Sequence, residues 1–202
     1  MWTTLLGRIL EVINLGGPIV ALLMAISVIA LSVILYKSWQ FAVADVGRHR
    51  SIHRALKAID AGQPELAAAM LAKSRNRIAP LVAAALKGRT GRSRLEAEAS
   101  ATLDHLSSGF RLLDSIAQTA PLLGLFGTVI GMIDAFRALQ AAGSAVDPST
   151  LAGGIWVALM TTAAGLAVAM PTGLILTFLE SRVERDRALA EIALETVFEQ
   201  QA

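Results

Sequence analysis

The chain has 202 residues, 54% of them hydrophobic, and a mean hydropathy of +0.58; soluble domains carry about 45–50% apolar residues, so lipid is the expected solvent. The formal net charge is +2 and there is no cysteine, which excludes a disulfide framework, a thiolate metal site and a cysteine nucleophile. Aromatics are only 5%, and the apolar runs are built from Ala, Leu, Gly and Thr, which suits closely packed helices in a single domain.

The N-terminal segment 1–16 carries one basic residue, Arg8. Residues 17–36, GPIVALLMAISVIALSVILY, hold no charge and as a helix reach about 30 Å, the thickness of the hydrocarbon core. They are the first span. Ala42-Val43-Ala44 resembles a signal cleavage site, but the apolar run is too long for a signal peptide, Lys37 and Trp39 intervene, and only Arg8 precedes it.

Residues 37–114 alternate helical patches with breakers at Gly62-Gln63-Pro64, Ala79-Pro80 and Gly88 to Gly91, the pattern of a small helical domain. From Arg92 onward there is no proline before the next apolar run. Leu95, Ala99, Leu103, Leu106, Phe110 and Leu113 recur at helical spacing, so this helix is expected to continue into the second span.

The second span is 115–139, uncharged from Ser115 to Ile133 and closed by Asp134 and Arg137, whose spacing allows an interfacial ion pair. A short loop, 140–152, leads to the third span, 153–179, and then to a charged helical tail, 180–202, with Val183, Leu189, Ile192 and Val197 among its acids and bases. Lys and Arg number one before the first span, twelve from Arg48 to Arg111, none from Gln140 to Leu151 and three after the third span. Positive residues stay in the cytoplasm, which places the N-terminus and the short loop outside, and the middle segment and the tail inside.

Both later spans carry a face of small residues. In span two it is Ala117, Pro121, Gly124, Thr128, Gly131 and Ala135, with Gly127/Gly131 forming a further small-xxx-small pair; in span three it is Gly154, Ala158, Thr162, Gly165, Ala169 and Gly173. Such faces let backbones approach closely. Span one, rich in Leu, Ile, Val and Met, suits a lipid-facing place. Thr128 and Thr162 are the most polar groups on their faces: either each hydroxyl bonds back to its own helix, or the two line a narrow polar path. Thr161 falls off the stripe, towards a neighbouring helix. Pro121 and Pro171 each free a carbonyl, which predicts kinks beside a packed or wet interior.

The segments APLLGLFGTVIGMIDAF (Ala120 to Phe136) and GGIWVALMTTAAGLAVAMP (Gly153 to Pro171) strongly resemble the MotA/TolQ/ExbB proton-channel family, most closely its TolQ/ExbB branch; flagellar MotA proteins are usually larger, with four spans. The resemblance implies an all-α membrane protein assembled as a homo-oligomeric ring, a pentamer, in the inner membrane of a Gram-negative bacterium. Spans two and three would enclose a pore around single-span ExbD/TolR-type partner helices, with a TonB/TolA-like protein as a further possible partner. A membrane Asp of the partner would exchange protons facing Thr128 and Thr162, with protons as the coupling ion and no other cofactor. Each charge crossing yields about 2.3 kcal/mol per 100 mV. Many relatives carry a Glu five residues before the span-three Thr, where this chain has Val157; any proton-binding carboxylate must then come from the partner or from Asp134.

His49 and His53 share a helix face but are flanked by Arg48, Arg50 and Arg54, which repel a metal cation. That basic cluster suits anionic lipid headgroups or simply enforces topology; nucleic acid is not an expected partner. Asp60, Glu65, Glu96, Glu98 and the tail acids read as solvated faces. No nucleophile, base and orienting group come together, so no enzyme is expected. The competing reading is a non-conducting oligomeric scaffold that stabilises partner proteins, and a solute permease is disfavoured by the lack of repeat halves and of a polar substrate site.

Overall fold

A computed structural model describes residues 2–47, 49–88, 90–142 and 148–200, and among them all regular structure is helical. The seven helices are α1 (Trp2–Val43), α2 (Arg50–Asp60), α3 (Pro64–Ala72), α4 (Ala79–Leu86), α5 (Arg92–Ser107), α6 (Phe110–Ala142) and α7 (Pro148–Glu199). Portions of α1, α6 and α7 are long and apolar enough to cross a membrane. The segment 1–16 is helical from Trp2 and forms the first part of α1, which breaks at Gly17, whose φ of 67° a side chain would resist, next to Pro18. The ends of the expected loop 140–152 are helical, in α6 and α7, while its residues 143–147, like Arg48, lie outside the described residues.

The chain divides into two compact units, one of Met1–Ile34 with Arg111–Leu176 and one of Leu35–Phe110 with Thr177–Ala202. In the first, three helices meet with few bulky contacts. Leu23 of α1 packs with Ala120 of α6 and Ala169 of α7, and Ile19, Leu123 and Val168 close around them. The remaining faces are apolar and open: Leu122, Leu125 and Phe126 on α6 and Trp156, Leu159 and Leu174 on α7 are all more than half exposed, as side chains bathed in lipid would be. α1 shows the same on Val28 and Leu31. α6 and α7 run as continuous helices through Pro121 and Pro171.

The second unit has an ordinary hydrophobic core. α2 ends where Gly62 takes φ 71°, and Pro64 opens α3 in its first turn, where a missing N–H costs nothing. Ile52, Ile78, Val82, Leu95 and Val197 are all at most 1% exposed and pack together with Leu189, Ala193 and Leu194 of the tail. Val183, Leu189 and Val197 are thus buried, whereas Ile192 faces outward. The apolar ladder from Leu95 to Phe110 is buried here as well, and its last member, Leu113, is buried in the first unit.

One expectation fails here. The helix from Arg92 does not run unbroken into the second span: α5 ends at Ser107, and α6 starts at Phe110 after Ser108 turns extended and Gly109 adopts φ 85°. The cause is local and tertiary together. The Ser108 hydroxyl donates to the His105 carbonyl at 2.8 Å, and the buried Lys37 ammonium donates to the Leu106 carbonyl at 3.1 Å, to Ser108 Oγ at 3.2 Å and to Gln40 Oε1 at 2.8 Å. A terminal carbonyl that the break leaves open thereby gains a charged donor.

Candidate functional site

α6 and α7 meet through glycine and alanine, and at Gly124, Gly127, Gly154 and Gly165 the fit leaves no space for a side chain. A Cβ on Gly165 would stand 2.5 Å from the Ala120 carbonyl oxygen, one on Gly124 2.9 Å from the Thr161 carbonyl oxygen, and one on Gly154 2.6 Å from the Ala135 Cβ. Gly131 faces Ala158 at 3.0 Å, and Gly173 lies opposite Ala117 at 3.8 Å. The order of these pairs runs in opposite directions along the two helices, so the seam is antiparallel. Without a hydrophobic driving force in lipid, this close dispersion contact is what holds such helices together.

The contact face differs in part from the stripe read in the sequence. On α6 its centre passes through Ala120 and Gly127, while Pro121 and Thr128 flank it at intermediate exposure. On α7 it passes through Thr161, which is 3% exposed and presses its side chain against Gly127, where a Cβ would be 2.6 Å away. Thr162 flanks the seam at intermediate exposure, Ala158 and Ala169 are buried, and Val157 is partly exposed.

Three hydroxyls populate this region. Thr161 Oγ1 has Ala158 O at 2.7 Å and Gly124 O at 3.2 Å, so its one proton is held mainly by its own helix. Thr162 Oγ1 donates across the seam to Gly124 O at 3.1 Å. Thr128 Oγ1 donates to Leu125 O at 2.6 Å. The protons of Thr128 and Thr162 are therefore engaged within the chain, and what each oxygen offers outward is its lone pairs.

Asp134 and Arg137 form a loose pair at 3.8 Å with both side chains well exposed. His49 and His53 have ring centroids 6.2 Å apart, and among the described residues no three potential metal ligands converge. Most acids named in the sequence are exposed. Asp186 is not: it is 2% exposed, accepts the Gly47 N–H at 3.1 Å and lies 3.4 Å from His49 Nε2. Asp186 thus departs from the solvated face expected of the tail acids, and neither it nor Lys37 is marked in the sequence, since a charge in a mixed-charge tail, or just past a span, carries no periodic sign of burial.

Three helices long and apolar enough to cross a membrane, two of them packed against each other along small residues, make this an all-helical membrane protein. The chain belongs to the MotA/TolQ/ExbB proton channel family, whose model matches residues 63–192. It is 31% identical over 184 residues to the putative biopolymer transport protein ExbB homolog of Methanothermobacter thermautotrophicus, covering 88% of this chain and 65% of that one. The putative biopolymer transport protein ExbB-like 1 of Synechocystis is 32% identical over 170 residues, 81% of this chain and 67% of the relative. The biopolymer transport protein exbB1 of Vibrio cholerae is 49% identical over 65 residues, which is 32% of this chain and 28% of that one. The chain thus spans from about a quarter to two thirds of the length of these curated relatives.

Proposed function

We propose that this chain is the channel subunit of an inner-membrane motor that couples the proton motive force to transport or envelope processes. In this reading several copies, five by the family resemblance, surround single-span ExbD/TolR-type helices, with the N-terminus periplasmic and the tail cytoplasmic. The observation that carries it is the hydroxyl geometry beside the α6/α7 seam. Thr128 and Thr162 have spent their protons on Leu125 O and Gly124 O, so each presents only an acceptor to a group in the pore.

An acceptor pairs with a protonated carboxylic acid and not with a carboxylate. A membrane Asp on a partner helix would therefore be stabilised as its neutral form when it faces Thr162, and would release its proton on leaving that position for a wetter one. Val157 supplies no carboxylate of its own within span three. Asp134, the other candidate, is well exposed beside Arg137 at the end of the span, so in this scheme the proton-bearing acid is the partner's and protons are the sole coupling species.

Val157 also favours a second reading, a non-conducting scaffold that assembles and stabilises partner proteins. Purification from native membranes under mild conditions separates the two. A small single-span protein with a membrane Asp should accompany the oligomer in the motor reading. Recovery of only partners lacking a membrane acid would favour the scaffold.

A further inference from the structure

We propose that a basic cleft at the start of α2 binds a phosphate group. The cleft has a volume of about 910 Å³ and lies within the second unit, where the turn after α1, the N-terminus of α2 and the segment after α3 come together. Arg50 and Arg54 line it from α2, and Lys73 and Arg75 from the segment after α3. All four side chains are exposed and none is ion-paired to another described residue. One carboxylate, Asp45, is also on the lining.

Two further observations point to an anion with several acceptor oxygens. α2 is 11 residues long and its N-cap, His49, makes no side-chain capping bond, so the positive end of the helix dipole meets no side-chain cap of its own. Asn76 lines the same cleft and is 3% exposed; its Oδ1 accepts the Ile78 N–H at 2.9 Å, while its Nδ2 has no partner among the described residues. A buried donor without an acceptor calls for a ligand oxygen or an equivalent. Ser51 and Ser74 add hydroxyls bonded to each other at 2.8 Å.

The site is held in shape from behind. Asp186 takes the Gly47 N–H and sits beside His49, which ties the turn to α7 within this unit. Guanidinium groups suit the geometry of phosphate oxygens better than a single carboxylate could exploit. Two sources share this chemistry. Tyr36 and Trp39 are exposed on the last turns of α1, the side chains expected at headgroup depth, so an anionic phospholipid is within reach; free phosphate from the aqueous side is the other.

The full chain in phosphatidylcholine nanodiscs, with or without phosphatidylglycerol, tests this. Lipid retained by the protein is counted by native mass spectrometry, and inorganic phosphate is titrated against the thermal midpoint. If a headgroup is the source, wild type should retain phosphatidylglycerol preferentially. The Arg54→Gln/Lys73→Gln variant should then lose that preference by about tenfold, while the charge-matched Lys87→Gln/Arg94→Gln control keeps it. If free phosphate is the source, it should raise the midpoint of wild type in pure phosphatidylcholine and leave the cleft variant unmoved. Asn76→Asp, which puts a negative charge on the lining, should reproduce either loss. Equal losses in the cleft and control variants, or a wild type with neither lipid preference nor phosphate response, would overturn the proposal.

Discussion

The two units of this chain share long helices yet are held together in opposite ways. The unit of Leu35–Phe110 and Thr177–Ala202 buries Ile, Leu and Val in a core that water drives shut. The unit of Met1–Ile34 and Arg111–Leu176 leaves its Leu, Phe and Trp on the outside and buries Gly, Ala and Thr instead. α7 belongs to both: its 49 residues from Leu151 to Glu199 extend about 74 Å, more than twice the hydrocarbon thickness, so its charged end lies beyond the bilayer. Solvent, not helix propensity, decides which side chains turn inward.

The sharpest way to break this contrast is to change side-chain volume in each unit. Ile52→Ala should destabilise the second unit by about 2–5 kcal/mol, as cavity formation in a packed core does, with accelerated hydrogen exchange in α2 to α5 as the readout. Exchange rates there that do not change would mean the core is not what holds that unit. In the first unit the damaging direction is the reverse, addition of volume. Gly165→Ala should cost about 1–3 kcal/mol because the new methyl meets the Ala120 carbonyl and no flexible side chain. Gly131→Ala, facing the Ala158 side chain at 3.0 Å, should be milder, and resistance of the two variants to detergent-induced unfolding ranks them.

A finer comparison concerns adjacent threonines. Thr161→Val keeps the shape packed on Gly127 and removes a largely self-satisfied hydroxyl, so its stability cost should be near 0.6 kcal/mol, the usual size for a membrane hydrogen bond. A collapse of folding in that variant would reassign Thr161 from spacer to keystone of the seam. The smallest effect belongs to Asp186. Burial pushes its carboxyl above the ordinary 3.8, against the opposing pull of the Gly47 N–H and of His49, Arg182 and Arg185. The folded chain then binds this proton more tightly than the unfolded one, so this group's contribution to stability falls as pH rises from about 3.8 through the folded value and is level above it. Asp186→Asn should flatten that part of the profile in thermal midpoints measured across the acid range. An unaltered slope would show that other groups set it.

Much of the fold was legible because its signals are periodic or binary. The charge-free run from Gly17 to Tyr36, the breakers at Gly62 and Pro64, and the apolar ladder from Leu95 to Leu113 all depend on local sequence alone. The break at Ser108-Gly109 has a local signal in its glycine, but the burial of Lys37, 71 residues away from Ser108, against it leaves none. The site was half legible. Small residues announce that two helices approach, but steps of three and four leave the rotation of the face uncertain by one position, enough to exchange Thr161 and Gly127 for Thr162 and Thr128 at the centre. Single-residue features such as the open Asn76 amide or the buried Asp186 carboxylate leave no pattern in a sequence.

The central claim is that an acceptor oxygen on Thr162, beside a seam of small residues, receives a proton-carrying acid from another polypeptide. Proton flux into vesicles made from native membranes, followed with a pH-sensitive dye, tests it in a Thr162→Val chain whose oligomer size and partner content match those of wild type. The account predicts that flux falls at least about tenfold, the loss expected when one transition-specific interaction of about 1.4 kcal/mol is removed, while Thr161→Val retains most of it. Undiminished flux in Thr162→Val would contradict the account.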